Sequence, residues 1–317
     1  MKTIAYKPNP KTILEAARII RGGGLVAFPT ETVYGLGANA LDPEAVERIF
    51  KAKGRPQDNP IIVHIARVED ARKLVLYFPP VAKRLADRFW PGPLTMILPK
   101  SKKVPYETTA GLDTVALRMP AHPVALALLK AAKVPVAAPS ANVSGRPSPT
   151  TAAHVVHDLS GRIDAILDGG PARIGVESTV LDLTSKTPTV LRPGGIGIEE
   201  LRKVLGKVNI YHAGKSAKRP RAPGMKYRHY APKAPIILVE GDAGKARLKV
   251  NELARRHKRQ GKRVRILKTG AASLYQQLRR FDGEDADVII AQARDEKGLG
   301  LAVMNRLRKA ATKIVAA

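Results

Sequence analysis

The chain has 317 residues, no cysteine, and 55 lysines and arginines against 27 aspartates and glutamates, which gives a formal charge of +28. The length favours two domains, each large enough to bury its own core, and the lack of cysteine excludes disulfides, thiol catalysis and cysteine-ligated zinc. So large a positive charge favours polyanionic partners such as nucleotides or nucleic acid, although the basic surface of a hot-living organism is an equal alternative.

The N-terminal segment MKTIAYKPNPKTILEAARII lacks the continuous apolar run of a signal peptide. No later stretch contains the roughly eighteen successive apolar residues that a membrane-spanning helix needs. We therefore expect a cytoplasmic protein without a membrane partner.

Apolar spacing predicts both helices and strands in the first two thirds of the chain. The first helix covers residues 11 to 22 and ends at three glycines before the strand LVAF. A helix opened by Pro43, the strand PIIVHI, and helices around 69 to 77 and 80 to 89 follow. The later strands are LTMILP, TVALRMP, VPVAAPS, AILDGG, STVLDL and TVLRP, and the later helices lie near 123 to 132, 151 to 158 and 198 to 205.

These elements predict two α/β domains of different design. Several connections before residue 211 are too short for a crossover helix, so residues 1 to 211 should form a mixed sheet with flanking helices. From residue 236 the strands IILVE, RVRIL and DVIIA alternate with helices over roughly 244 to 259, 271 to 281 and from about 299. That alternation predicts a small Rossmann-like, three-layer domain over 236 to 317, and the absence of GxGxxG argues against a dinucleotide site there.

The segment between the two domains, residues 212 to 235, has the prolines of a linker but not its usual composition. It contains seven lysines and arginines and no carboxylate, and its second half reads APGMKYRHYAPKAP. A passive tether is normally small and polar, so this composition indicates that the linker contacts something.

A Gly-Pro turn in KGRPQDNPIIVH carries two cations, Lys53 and Arg55, ahead of Asn59 and His64. Arginine binds an anion through a planar fork and lysine as a point charge, so both can converge on one phosphate. The alternative is an ordinary basic helix end that complements the helix dipole.

Short hydroxyl and amide side chains follow a strand in PSANVSGRPSPT, residues 139 to 150. Such groups can cradle the phosphates or sugar of a nucleotide, or they can simply cap the next helix and bond their own turn. The side chains concerned are Ser140, Asn142, Ser144, Ser148 and Thr150.

Other polar residues stand at predicted strand ends, where α/β sheets commonly bind ligands. They are Thr30, Thr32, Arg118, Ser178, Thr179 and Arg192. Surface salt bridges explain either arginine equally well. Neither GxSxG nor GxxxxGK[ST] occurs, which disfavours a serine hydrolase and excludes a P-loop, and HExxH and EF-hand patterns are absent too.

Together these stretches resemble the two-domain form of the threonylcarbamoyl-AMP synthase family, in which a YrdC-like domain precedes a smaller C-terminal domain. The resemblance spans most of the chain, and the number and order of its motifs make it specific. The motifs are FPTETVYGLGANA, KGRP followed by NP, ALRMP, PSANVSG with SPT, ESTV, LRPGG and PGMKYRHYAP. The linker departs at one position, Ala222, where the family usually has serine.

The resemblance implies an enzyme that makes L-threonylcarbamoyl-AMP and pyrophosphate from L-threonine, bicarbonate and ATP, with Mg²⁺ carried on the ATP phosphates. This is the first stage of threonylcarbamoyladenosine formation in tRNA, so a downstream threonylcarbamoyl transferase complex is an expected partner and direct tRNA contact is left open. The resemblance also implies a YrdC-like twisted sheet for the first domain.

By the same resemblance, thirteen residues belong to the site. Lys53 and Arg55 would be catalytic. ATP would be bound by Lys53, Arg55, Asn59, Thr114, Ser140, Asn142, Ser148, Arg192 and Tyr230, and threonine by Thr32, His64, Arg118 and Ser178. We expect the linker to fold over this site as a lid, with Tyr230 reaching the nucleotide and water excluded from the adenylate.

Two rival functions remain at this stage. A tRNA-binding or double-stranded-RNA-binding protein without catalysis would explain the charge, but the sequence lacks RNP, KH and zinc-knuckle patterns. The carbamoyl transferases of hydrogenase maturation share a YrdC-like domain but are longer and carry zinc-finger and acylphosphatase modules, which do not occur in this sequence.

Overall fold

Two β-sheets organise the part of the chain that this computed structural model describes, which is residues 2–211, 220–223, 225 and 230–317. The larger sheet uses residues up to 210, and the smaller sheet begins at residue 236. Most of the expected linker, namely 212–219, 224 and 226–229, lies outside the described residues.

The larger sheet contains eleven of the described strands. They are β1 (Ile4–Tyr6), β2 (Val26–Phe28), β3 (Gly35–Asn39), β4 (Ile62–His64), β5 (Leu94–Pro99), β6 (Thr114–Arg118), β7 (Val136–Ala137), β8 (Ala165–Leu167), β9 (Thr179–Asp182), β10 (Thr189–Arg192) and β11 (Asn209–Ile210). In space they follow the order β1-β8-β2-β3-β7-β4-β6-β5-β9-β10-β11. Because β4 and β6 are parallel while β5 and β6 are antiparallel, the predicted mixed sheet is confirmed.

Helices flank this sheet, and four of those described begin at a residue whose side chain caps the first turn. Asp42 accepts hydrogen bonds from the first turn of the second helix, and Gly54, in the left-handed region at φ 58°, ends that helix and turns the chain toward Arg55. The helices are α1 (Pro10–Arg21), α2 (Pro43–Lys53), α3 (Val68–Arg72), α4 (Pro80–Phe89), α5 (Tyr106–Thr109), α6 (Pro123–Ala132), α7 (Ala152–Leu159) and α8 (Ile198–Leu205).

Some local expectations were wrong. The helix expected over 69 to 77 stops at Arg72, because the following segment pairs with the end of β5: Leu76 donates to the Pro99 carbonyl and Val75 bridges Lys100. Strand β3 reads as a loop in the sequence because of its glycines. Gly37 is needed there, since a Cβ atom would lie 2.8 Å from both Phe28 and Val136.

Successive side chains of the strands point to opposite faces of the large sheet, and both faces are buried. Ala27, Val63 and Leu117 belong to the main core, whereas Phe28 and Val136 pack against α1 and α6 on the opposite face. Farther along that opposite face, a third apolar cluster contains Ile62, Ile97, Ala116, Val180, Leu191 and Ala222 of the linker. The face is therefore covered by helices at one part and by the linker at another.

The second domain alternates strands and helices. The elements are β12 (Ile236–Glu240), α9 (Ala243–Arg259), β13 (Val264–Leu267), α10 (Leu274–Gly283), β14 (Val288–Gln292), α11 (Leu299–Ala310) and β15 (Lys313–Ala316). The strands form a parallel sheet in the order β13-β14-β12-β15. Helix α9 packs on one face, and α10 and α11 pack on the other, so the predicted three-layer arrangement is confirmed. The last strand was not predicted, because it is short and largely exposed.

Across the described residues, every helix is too short or too polar to cross a lipid bilayer.

Candidate active site

A cleft opens on the sheet face between the part covered by helices and the part covered by the linker. Ten of the thirteen expected site residues line it: Thr32, Arg55, His64, Arg118, Ser140, Asn142, Ser148, Ser178, Arg192 and Tyr230. Residues separated by as many as 198 positions in the chain thus meet at one place.

Lys53 is buried behind the cleft and does not line it. Its ammonium group donates to the backbone oxygen of Ser140, at 2.5 Å, and to that of Asn142. Burial, and then the charge of Arg55, lower the pKa of Lys53 well below its ordinary value. In this structure Lys53 therefore holds the loop that presents Ser140 and Asn142.

Asn59 and Thr114 also lie outside the cleft lining. Asn59 is buried, and its backbone oxygen accepts from Arg55 at 3.1 Å. Thr114 starts β6, opposite Pro99 of β5. Asn59 thus reaches the cleft only through Arg55, and the structure gives Thr114 no place in the lining.

Two arginines line one side of the cleft, the partly buried Arg55 and the buried Arg192. The guanidinium of Arg55 donates to the backbone oxygens of Asn59 and Pro60, and that of Arg192 donates to the backbone and side-chain oxygens of Ser178 at 3.0 and 3.1 Å. Burial lowers the pKa of Arg55 to about 10, so it remains charged at neutral pH. Two fixed cations with low solvent access form a strong site for an anion.

A second anion-binding group lies where β4 and β6 pair, because their register places His64 beside Arg118. Arg118 forms a buried ion pair with Glu31 at 2.8 Å and donates to the Gly92 carbonyl. Burial, and then the charge of Arg118, lower the pKa of His64 to about 3. At neutral pH the imidazole is therefore neutral and suited to hydrogen bonding.

Hydroxyl groups complete this part of the cleft. The side-chain oxygens of Thr30 and Thr32 lie 2.8 Å apart, and those of Thr95 and Ser178 are separated by the same distance. Each hydroxyl both donates and accepts, so the pairs can adjust their protons to a bound ligand.

Several buried polar atoms of the cleft have no hydrogen-bond partner among the residues that the structure describes. They include the side-chain oxygen of Asn142 and Nδ1 of His64. Because buried polar atoms are normally satisfied, these two indicate ligand contacts.

Glu177 connects the cleft to the second domain. It accepts hydrogen bonds from Ser148 at 2.5 Å, from Tyr275 at 3.0 Å and from Arg306 at 2.9 Å. Burial raises the pKa of Glu177, but Arg306 and then Arg192 outweigh burial and bring it to about 2. The carboxylate is therefore ionised and fully engaged.

The described linker residues lie against the cleft. Pro223 and Tyr230 line it, and the residue after Tyr230 donates its backbone N–H to the Gly145 carbonyl at 2.9 Å. Arg221 pairs with Asp182 at 2.7 Å, and Ala222 is completely buried in the third apolar cluster. Tyr227 and His229 fall outside the described residues.

Among the described residues, no group of three histidine or acidic side chains is placed to hold a metal ion. The lining instead presents four arginines, namely Arg55, Arg118, Arg146 and Arg192. Such a site fits an ion that arrives on phosphate oxygens rather than one held by a protein cage.

Sequence reasoning missed Glu31, Glu177 and Arg306. A signal existed for each. The two acids stand inside motifs with apolar neighbours, FPTETVYG and VESTV, and a buried acid requires a cation. Arg306 lies four positions after the buried Ala302, on the apolar side of α11.

Comparison with known proteins matches both domains. A family model described as "Telomere recombination" covers residues 18–194, and one for the threonylcarbamoyl-AMP synthase C-terminal domain covers residues 196–312. The threonylcarbamoyl-AMP synthase of Pyrococcus abyssi is 56% identical over 314 residues, which is 93% of this chain and 92% of that protein. The Bacillus subtilis protein of the same name is 48% identical over 328 residues, covering 96% of this chain and 94% of its own.

A crystal structure of P. abyssi Sua5 complexed with L-threonine has a TM-score of 0.95 to this chain at 53% identity, and covers 100% of this chain and 99% of the other. The fold defines a two-domain α/β protein, and its cleft is lined by four arginines. The two family models match in succession along the chain. The chain belongs to the threonylcarbamoyl-AMP synthase family, in its two-domain form.

The position of Lys53 generates a stability prediction. Lys53→Met leaves the buried carbonyl group of Asn142 without its Lys53 donor, which costs about 1–3 kcal/mol, while the Ser140 carbonyl keeps the backbone N–H of Asn142 as a donor. We expect a clear fall in melting temperature by scanning calorimetry, while Lys51→Met, on an exposed position of the same helix, changes little. Unchanged melting of Lys53→Met would contradict the loop-holding role.

The lowered pKa of His64 predicts a pH dependence of stability. In the unfolded chain a histidine titrates near 6.5, so between roughly pH 6.5 and 3 the unfolded state binds one more proton at this position. Stability is fully present above about pH 6.5 and falls with acidification, by up to roughly 1.4 kcal/mol per pH unit. Urea unfolding at several pH values should show a flatter curve for His64→Gln than for the wild type. The exposed-site variant His157→Gln should keep the wild-type slope.

Proposed function

We propose that this enzyme combines L-threonine, bicarbonate and ATP into L-threonylcarbamoyl-AMP and pyrophosphate, as the first stage of threonylcarbamoyladenosine formation in tRNA. The observation that carries the proposal is that two anion-binding groups share one cleft: Arg118 beside neutral His64, and Arg55 beside Arg192. One suits an amino-acid carboxylate, and the other suits a polyphosphate. The P. abyssi structure described with L-threonine supports this assignment.

In this proposal the threonine carboxylate binds Arg118, whose guanidinium is held in place by Glu31. Thr32, His64 and Ser178 orient the remaining polar groups of threonine. His64, with a pKa of about 3, is a poor proton acceptor at neutral pH, so its role is orientation rather than base catalysis.

The chemistry needs positioning more than a protein nucleophile. The neutral threonine amine attacks carbon dioxide, forming a carbamate and releasing a proton to solvent, or attacks bicarbonate, forming the same carbamate and releasing water. A carbamate oxygen then attacks the α-phosphorus of ATP, and the bond to the β-phosphate oxygen breaks as pyrophosphate leaves. Arg55 and Arg192 offset the negative charge that develops on the leaving pyrophosphate.

The loop of Ser140, Asn142 and Ser148 is the proposed cradle for the nucleotide, and Lys53 stabilises it from behind. Mg²⁺ would enter on the phosphates and neutralise part of their charge. The linker is proposed to close as a lid, with Tyr230 over the nucleotide, which limits hydrolysis of the adenylate. A cytoplasmic location, direct tRNA contact and transfer to a downstream threonylcarbamoyl transferase complex belong to the proposal as well.

An RNA-binding role without catalysis would account for the charge of +28. It gives no reason for burying Arg118 against Glu31, or for orienting Arg192 on Ser178, because contacts to a nucleic-acid backbone use exposed cations. The cleft therefore favours catalysis.

Mass spectrometry of the product tests the function. The full-length protein with ATP, L-threonine and ¹³C-bicarbonate should form an adenylate one mass unit heavier than the product made from unlabelled bicarbonate. Pyrophosphate release should require both threonine and bicarbonate. The proposed function would be rejected if pyrophosphate were released when threonine or bicarbonate is omitted. It would also be rejected if the protein bound RNA but formed no adenylate.

Arg118→Lys separates the two substrates. A lysine keeps the charge but cannot grip a carboxylate through two parallel hydrogen bonds. The KM for threonine should therefore rise by about tenfold or more, while the KM for ATP changes by less than about twofold. Equal increases for both substrates would show that Arg118 supports the cleft as a whole.

A further inference from the structure

The second domain contacts the first at the loops that carry Ser148, Glu177 and Arg192, which form the proposed phosphate side of the cleft. Arg279 of α10 binds Asp158 at 2.7 Å and the Pro147 carbonyl at 2.6 Å, next to Ser148. Tyr275 of the same helix donates to Glu177. The second domain also packs against Val33, next to Thr32, through Leu274 and Tyr275, whereas Arg118 is held by Glu31 of its own domain.

Arg306 of α11 is the most central of these contacts. Its side chain is 1% exposed, its Nε donates to Glu177 at 2.9 Å, and its Nη1 donates to the carbonyl of Pro193, the neighbour of Arg192. The guanidinium carbon also lies 5.5 Å from the centre of the Tyr230 ring, within cation–π range. Arg306 itself does not line the cleft.

The contact with Glu177 has an electrostatic consequence. Glu177 lines the cleft near Arg192, and both Arg306 and Arg192 stabilise its charge. Without Arg306 the buried carboxylate would depend on Arg192 for its counter-charge. Arg192 would then be less able to bind phosphate, and an unneutralised carboxylate would repel the phosphates directly.

The contact with Tyr230 fixes a side chain whose backbone is in the left-handed region, at φ 66°. A non-glycine residue adopts that conformation only when its surroundings hold it there. Tyr275 stacks on its ring at 5.6 Å, and Arg306 approaches the same ring. The second domain thus sets where Tyr230 stands at the cleft.

We propose that Arg306 is a positioning residue for the nucleotide: it neutralises Glu177 and holds Tyr230, so that Ser148 and Arg192 face the ATP phosphates. The identity of the nucleotide rests on the proposed function. Arg306 then supports the ATP side of the cleft, and threonine binding does not depend on Arg306.

The experiment measures the affinities for ATP with Mg²⁺ and for threonine by calorimetry, using the full-length chain. The variants are Arg306→Met, Arg306→Lys, Glu177→Gln and the double variant Arg306→Met/Glu177→Gln. Arg308→Met is the matched control, because Arg308 lies on the same helix but pairs with Glu240 and Glu296 at the surface. Melting temperatures are recorded for every variant.

Arg306→Met should weaken ATP binding by about tenfold or more, because a buried carboxylate loses its partner. Threonine binding should change by less than about twofold, as should both affinities in the surface control. Arg306→Lys should recover part of the ATP affinity. The double variant should bind ATP more tightly than Arg306→Met, because a neutral glutamine no longer competes for Arg192.

A parallel loss of ATP and threonine affinity, with a double variant no better than Arg306→Met, would overturn the proposal and make Arg306 a structural contact only. Wild-type ATP affinity in Arg306→Met would overturn it as well. Failure of the wild type to make threonylcarbamoyl-AMP would reject the proposed function instead. The predicted pattern of ATP affinities would in that case still support Arg306 as a positioning residue.

Discussion

The cost of burying several like charges in one place governs this structure. Arg118, Arg192 and Arg306 are buried near one cleft and Arg55 is partly buried there, and separating arginine from water is expensive unless it is paired and hydrogen-bonded. The chain meets this cost with two buried carboxylates, in the ion pairs Glu31–Arg118 at 2.8 Å and Glu177–Arg306 at 2.9 Å. Backbone carbonyls supply the remaining acceptors for Arg55 and Arg192.

This arrangement prepares the cleft before a ligand binds. The cations are fixed by hydrogen bonds to the backbone, so little reorganisation is needed when an anion arrives. Lys53 contributes indirectly, because its ammonium group binds the loop of Ser140 and Asn142 and does not enter the cleft. The two carboxylates differ in their partners: Glu31 pairs with Arg118 of its own domain, whereas Glu177 is bound by Tyr275 and Arg306 of the second domain.

The linker contacts both the face of the large sheet and the cleft. Its described residues pack on the sheet face through Ala222 and reach the cleft through Pro223 and Tyr230. Alanine at position 222 suits its surroundings, because a serine hydroxyl would be buried among Ile62, Val180 and Leu191.

Most of the secondary structure could be predicted from the sequence, because apolar periodicity, caps and glycines act locally. The signals around α1, α2 and α6, and the alternation after residue 236, are strong examples. Motifs carried by strand ends and tight turns also indicated ten of the residues that line the cleft. Short or glycine-containing strands such as β3 were not predicted, since their stability comes from pairing with distant segments.

Only the tertiary structure decided which charged groups face the cleft and which support it. Lys53 and Arg55 stand two positions apart in one motif, yet packing sends Lys53 behind the Ser140 loop and Arg55 into the lining. Glu177 and Arg306 are 129 positions apart, and no local pattern couples them. Most helices and strands could be predicted because they depend on residues close in the chain, and the side-chain groups available to the site can be read directly from the residue types. The partner of each buried charge was decided by the folded packing, since desolvation and ion pairing act between residues that only the fold brings together.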